Sequence, residues 1–164
     1  MAHVITPITR LLIANRGEIA RRIIRTAHDM GISTVAIYAD GDAQAPFVTE
    51  ADSAVALDGR TTAETYLDVD KVLAACKRSG ADAIHPGYGF LSENEGFAQA
   101  VMDAGIKWLG PTPEVIGLMG DKLSAKRLMD EAGVPTLPGV EISANTDINA
   151  AAKEIGYPVL VKAS

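Results

Sequence analysis

The feature that most constrains this chain is an alternation of short, wholly apolar runs with amphipathic helical stretches. Leu11, Leu12 and Ile13 are apolar without a break, the pattern of a strand covered on both faces. Over Ile19 to Met30 the helical period puts Ile19, Ile23, Ala27 and Met30 on one inward face. Arg21, Arg22 and Arg25 point elsewhere, and Gly31 stands where a helix-stopping glycine belongs. Val35 to Tyr38 returns to an apolar run. Strand, helix and strand in this order require a crossover, so the expected fold is α/β, a parallel sheet flanked by helices.

The same reading carries along the rest of the chain. Asp40 to Pro46 is a loop beyond the second strand, either plainly solvated or placed where open parallel sheets hold ligands. Asp68 caps a helix that runs to Arg78 and closes at Gly80, with Val69, Val72, Leu73 and Cys76 on its buried face. Asp82 to His85 is the expected third strand. Ser92 opens the next helix, with Phe97, Ala98, Val101 and Met102 inward and Gly105 after it, and Lys107 to Leu109 is the fourth strand. Gly110-Pro111-Thr112-Pro113 breaks the pattern, and helices follow over Glu114 to Met119 and Lys122 to Ala132. Gly133 to Gly139 reads as a connector, followed by a helix near Asp147 to Ile155 and a strand from Val159 to Ala163. The expected organisation is an N-terminal tail over 1–7, one domain over 8–120, and over 121–164 linker helices and the first strand of a second domain, truncated.

Composition excludes several classes of function. Fifteen Lys and Arg stand against 21 Asp and Glu, a formal charge of −6, the wrong balance for displacing counterions from a nucleic acid. No apolar run approaches the ~20 residues that span a bilayer, and Met1 to Thr6 has no leader character. A cytoplasmic protein with neither nucleic-acid nor membrane partner is therefore expected. His3, His28 and His85 share no ligand spacing with one another or with Cys76, so no metal site is expected here. Cys76, the single cysteine, belongs to core packing. No G-x-S-x-G elbow is present to support a serine hydrolase.

Four places remain where chemistry could reside. Asn15-Arg16-Gly17-Glu18 sits where a strand turns into a helix, and is either a structural turn or an anion contact at the helix N-terminus. The run from His85 through Pro86, Gly87, Tyr88, Gly89 and Phe90 to Asn94 is either a tight turn with Ser92 as cap or a loop that brings its backbone close to a ligand. Asp121-Lys122 puts a cation in the first turn of a helix, a conflict that a neighbouring carboxylate or a bound phosphate would resolve. Lys162 interrupts an apolar strand and must reach solvent, meet a carboxylate or face an anionic ligand.

Taken together, Leu12 to Ala20, His85 to Asn94, Gly120-Asp121-Lys122 and Tyr157 to Ser164 resemble biotin carboxylase, over essentially the whole chain from Ile8 and in that family's order. Two positions depart from it. Many relatives carry histidine where this chain has Phe47 and an acidic residue where it has Ser53, neither of them a residue to which the family's chemistry is assigned.

The resemblance implies a Rossmann-like, pre-ATP-grasp domain followed by the truncated start of an ATP-grasp domain. It implies an ATP-dependent C–N ligase that uses bicarbonate and Mg2+ or Mn2+ to form carboxyphosphate and then carboxylates biotin held on a carrier domain, the first half-reaction of an acyl-CoA carboxylase of the kind used in fatty-acid synthesis. Lys122 and Lys162 match lysines that contact ATP, while His85, Gly87, Tyr88 and Gly89 match a loop lining the active-site cleft. The implied partners are the biotin carboxyl carrier domain, a carboxyltransferase subunit and further copies of the full-length chain. The main catalytic residues, the metal-binding carboxylates among them, are expected beyond Ser164. The 164-residue chain alone is thus expected to lack activity, which bicarbonate-dependent ATP cleavage by it would refute. The competing readings are another ATP-grasp enzyme, such as a carbamoyl-phosphate synthetase or a purine-pathway carboxylase, and a non-catalytic assembly module using Arg21, Arg22 and Arg25.

Overall fold

The computed structural model describes residues 6–120, 122–140 and 142–161, and of Lys122 and Leu123 only the backbone. Asp121, Lys162, Ala163 and Ser164 lie outside the described residues. The chain divides into two compact units, Met1–Gly117 and Leu118–Ser164.

The first unit runs β1 (Arg10–Ile13), α1 (Gly17–Asp29), β2 (Ser33–Tyr38), α2 (Pro46–Glu50), β3 (Ser53–Ala56), α3 (Val69–Ser79), β4 (Ala83–His85), α4 (Glu95–Asp103) and β5 (Lys107–Trp108), and ends within α5 (Pro113–Gly120). All pairings are parallel, in the order β3-β2-β1-β4-β5. The central strand β1 pairs Leu12 with Val35 on one side and Ile84 on the other.

Side chains alternate along a strand, so the apolar run of β1 feeds two cores. Leu12, Val35, Ile37 and Ile84 pack with Val72 and Cys76 of α3 and with Phe97 and Val101 of α4. Ile13 and Ala36 face the opposite way, against Ala20 and Ile24 of α1 and Phe47 of α2. Leu12, Ile13 and Ile84 are each wholly buried, and burial of such a side chain contributes about 1.5–3 kcal/mol. The tilt of the balance toward a continuous apolar run is therefore what places β1 in the middle. Cys76 is part of this core, and burial raises its thiol to about 11. Asp68 caps α3 by accepting the Lys71 N–H at 3.0 Å, and Gly80 ends it at φ +68.

Several expectations are corrected. The sheet contains an additional strand, β3, so Ala83–His85 and Lys107–Trp108 are its fourth and fifth strands in chain order. Ser53–Ala56 is an edge strand, and the apolar stretch that runs through it, Ala54 to Leu57, is short and half alanine and is not among the expected strands. A short helix started by Pro46 precedes it, on residues adjoining the expected loop. Ser92 does not cap the following helix, because Phe90–Glu93 forms a single 3-10 turn. The cap is Asn94, whose Oδ1 accepts the Phe97 N–H at 2.8 Å. Met30 and Met102, expected inward, are exposed. The buried line of α1 is Ala20, Ile24 and Ala27, one position round from the expected stripe, and Met30 lies at its C-cap.

The second unit contains α6 (Lys122–Glu131) and α7 (Ile148–Ile155). Asp147 caps α7, accepting the N–H groups of Asn149 and Ala150. Val159 to Val161, expected to begin a strand, pair with no described strand, and Leu160 and Val161 are exposed.

Candidate functional site

The carboxyl ends of β1, β2 and β4 lie side by side, and each releases a loop at the same edge of the sheet. Ligands of open parallel sheets bind at this edge, where helix N-termini and loop backbone are presented together. Asn15 and Arg16 follow β1, Asp40–Asp42 follows β2 as one 3-10 turn, and Pro86 to Gly89 follow β4.

Asn15 joins two of these loops. It is wholly buried, and its Nδ2 donates to the Pro86 carbonyl at 2.8 Å and to the Tyr88 carbonyl at 2.9 Å. Its Oδ1 accepts the Arg16 N–H at 2.9 Å. Gly87 fits against this side chain for two reasons. Its φ is +67, and a Cβ there would stand 2.6 Å from Ile19 Cγ2 and 2.8 Å from Asn15 Nδ2. A larger residue there is opposed both by backbone conformation and by space, and would have to displace the Asn15 and Ile19 side chains.

His85, at the end of β4, accepts the Gly87 N–H on Nδ1 at 3.0 Å. Desolvation lowers its pKa. With Nδ1 engaged as an acceptor, the neutral form of the ring carries its proton on Nε2. Tyr88 is exposed, and its hydroxyl donates to the Glu18 carboxylate at the first turn of α1. That hydrogen bond raises the phenol pKa.

A second brace holds the far end of the loop. Phe90 has φ +49, unusual for a residue with a side chain. Its ring stacks on Tyr66 with centroids 5.3 Å apart and planes 13° apart. The buried Tyr66 hydroxyl donates to Asp42 Oδ2 at 2.5 Å and accepts the Ala39 N–H at 3.1 Å. Burial and then the Asp42 bond push the Tyr66 pKa upward. Asp42 also meets Arg16 at 3.3 Å, and the Arg16 guanidinium carbon lies 5.6 Å from the Tyr66 centroid and 5.8 Å from that of Phe90. Such a contact between cation and ring favours a fixed arrangement.

The structure thus brings together Asn15, His85, Gly87, Tyr88 and Gly89. Lys122 begins α6 in the second unit, its side chain outside what is described, and Lys162 lies wholly outside it. Asp42, which carries part of the brace, lies in the Asp40 to Pro46 loop that the sequence offers as a possible ligand position, whereas Tyr66 was not singled out there. A polar Asp-Gly-Asp turn just past a strand end is the signal that Asp42 left. A depression of about 310 Å³ beside the site is lined by Arg16, Glu18, Asp42 and Phe47 among others. A larger one, about 590 Å³, runs along α1 past Glu18, Arg21 and Arg25 and reaches Glu50. Arg21 is held by Glu50, its Nε donating at 2.9 and 2.8 Å to the two carboxylate oxygens. Among the described residues no group of three His, Cys, Asp or Glu side chains could hold a metal ion.

Comparison with known proteins decides the family. The family described as biotin carboxylase, N-terminal domain, matches residues 7–116. This chain belongs to the biotin carboxylase N-terminal domain family. Residues 121–164 match the carbamoyl-phosphate synthase L chain, ATP binding domain. The biotin-dependent acyl-coenzyme A carboxylase alpha3 subunit of Mycobacterium leprae is 50% identical over 165 residues, which covers 99% of this chain and 28% of that protein. Biotin carboxylase 2 of Bacillus subtilis is 48% identical over 159 residues, covering 95% of this chain and 36% of that one. The biotin carboxylase domain of a thermophilic 2-oxoglutarate carboxylase bound to bicarbonate superposes with a TM-score of 0.85 at 47% identity, over 95% of this chain and 35% of its own. The chain thus spans about a third or less of such biotin carboxylase relatives. The parallel α/β sheet expected from the sequence is the fold these proteins share with it.

Proposed function

We propose that this chain forms the N-terminal side of the active site of an ATP-dependent biotin carboxylase, with residues 8–120 as one domain and 121–164 as the opening of an ATP-grasp domain. The observation that carries the reading is the His85–Gly89 loop. Its backbone is clamped from below by Asn15 while Tyr88 and Gly89 stay exposed at the carboxyl edge of a parallel sheet. A loop rigid on one side and open on the other suits recognition of a small polar ring.

In the proposed reaction a bicarbonate oxygen attacks the γ-phosphorus of ATP, ADP leaves, and carboxyphosphate forms. The carboxyl carbon then passes to the ureido nitrogen of biotin, which loses its proton as phosphate departs. Lys122 and Lys162 are proposed to contact ATP, where ammonium groups offset charge on the phosphates. His85, Gly87, Tyr88 and Gly89 are proposed to line the cleft for biotin or bicarbonate. A divalent metal, Mg2+ or Mn2+, would neutralise phosphate charge, and it is assigned to no residue of this chain. The proposed partners are a biotin carboxyl carrier domain, a carboxyltransferase subunit and further copies of the protein, in the cytoplasm.

The test is ADP release by a chain extended through the rest of the ATP-binding domain. Release that needs bicarbonate and is accelerated by free biotin supports the reading, with Lys122→Ala and Lys162→Ala each raising KM for ATP about tenfold. Release accelerated by ammonia and indifferent to biotin would instead assign a carbamoyl-phosphate synthetase activity.

A further inference from the structure

Two carbonyls of the His85–Gly89 loop, those of Pro86 and Tyr88, converge on the single amide nitrogen of Asn15. In a trans peptide the carbonyl and the N–H point in opposite directions. Drawing the Tyr88 carbonyl inward therefore turns the Gly89 N–H outward. The Gly87 N–H, turned by the Pro86 carbonyl in the same way, is taken up by His85 Nδ1. The Gly89 N–H has no acceptor among the described residues. Gly89 is exposed, at φ +69 and ψ −171, and open space lies where a Cβ would stand.

We infer that Asn15 is a positioning residue, which locks the Tyr88–Gly89 peptide so that the Gly89 N–H is a fixed, outward-facing donor for an oxygen atom of the ligand this loop takes. A donor fixed beforehand needs no reorganisation when the ligand arrives, which is where its value lies. The identity of that ligand as biotin or bicarbonate rests on the reading above, whereas the lock itself does not.

The test has two arms. In the first, the 15N-labelled 164-residue chain is compared with Asn15→Asp, which puts an acceptor in place of the donor, and with Gly87→Ala. The second variant keeps Asn15 but drives a methyl group into it and into Ile19. Both are expected to move the Gly89 amide signal and lower its order parameter from about 0.85 to below about 0.6, while the amides of β2 keep their positions. Gly89 signals unchanged in both folded variants would overturn the inference. If Asn15→Asp fails to fold, Gly87→Ala decides it alone.

The second arm uses the extended chain, where the same variants are expected to raise KM for free biotin or for bicarbonate about tenfold, the size of one misaligned hydrogen bond, and to leave KM for ATP within about twofold. A loosened Gly89 with both of those KM values unchanged would remove its role as donor. An extended chain indifferent to biotin would sink the functional reading, and the amide signals would still decide whether Asn15 positions the loop.

Discussion

His85 links the site to pH. Burial lowers its pKa, so below the ordinary value of about 6.5 the unfolded chain binds more protons than the folded one. The stability it contributes is present above that pH and is lost as pH falls through the folded value. Asp82 acts in a lower window. Burial raises its pKa, but the Arg10 and Thr9 N–H groups and Lys107 outweigh this and hold it at about 2, so its contribution is lost only below the usual carboxylate range. His85→Asn keeps an acceptor for the Gly87 N–H and does not titrate. It is expected to flatten the fall in thermal midpoint between about pH 7 and pH 5, and an unchanged slope would show that His85 is not its source. Ser53 offers a second test. Arg10 reaches Ser53 Oγ at 3.4 Å with Nη2, while its buried Nε has no partner among the described residues. Ser53→Glu, which would set a carboxylate beside that guanidinium, is expected to raise the midpoint by about 3 °C, the effect of roughly 1 kcal/mol in a chain this size.

Among the elements, the capping of α4 separates two readings of one loop. Asn94 bonds the Phe97 N–H, whereas Ser92 lies inside the preceding 3-10 turn. Asn94→Ala is expected to cost about 1 kcal/mol and Ser92→Ala a few tenths at most, measured by denaturant unfolding. The difference also shows what could be read from sequence. β1, β2 and α3 were legible because three or more consecutive apolar residues, or a cap and a stop, mark each of them. β3 was not, because its apolar stretch, Ala54 to Leu57, is half alanine and follows no long amphipathic helical stretch that would mark a strand beside it. The His85–Gly89 loop was legible from its glycines. Its brace was not, since Asn15 meets it across 71 residues and Phe90 meets Tyr66 across the whole of α3 and β4, pairings that no local period encodes.

For the molecule as a whole, burial is concentrated in the first unit. Every fully buried side chain among the described residues belongs to it, and none to residues 118–161. Protection from amide exchange follows buried, closely packed backbone. Exchange in α6 and α7 of the 164-residue chain is expected to be about a hundredfold faster or more than in β1, β2 and β4, a gap of roughly 3 kcal/mol in opening free energy. Equal protection in both units would contradict this. Phe47, on α2, packs against Ile13, Ala20 and Ile24, and Ser53 begins the edge strand β3. The proposed ligand face is the carboxyl edge of the sheet, where Asn15 holds the His85–Gly89 loop. That edge is tested most directly by following label from 14C-bicarbonate into biotin, with ATP present, in a chain extended through the rest of the ATP-binding domain. The account predicts ATP-dependent carboxybiotin that Gly87→Val abolishes while the fold survives; carboxybiotin formed equally well by that variant, or none formed by the parent chain, would contradict it.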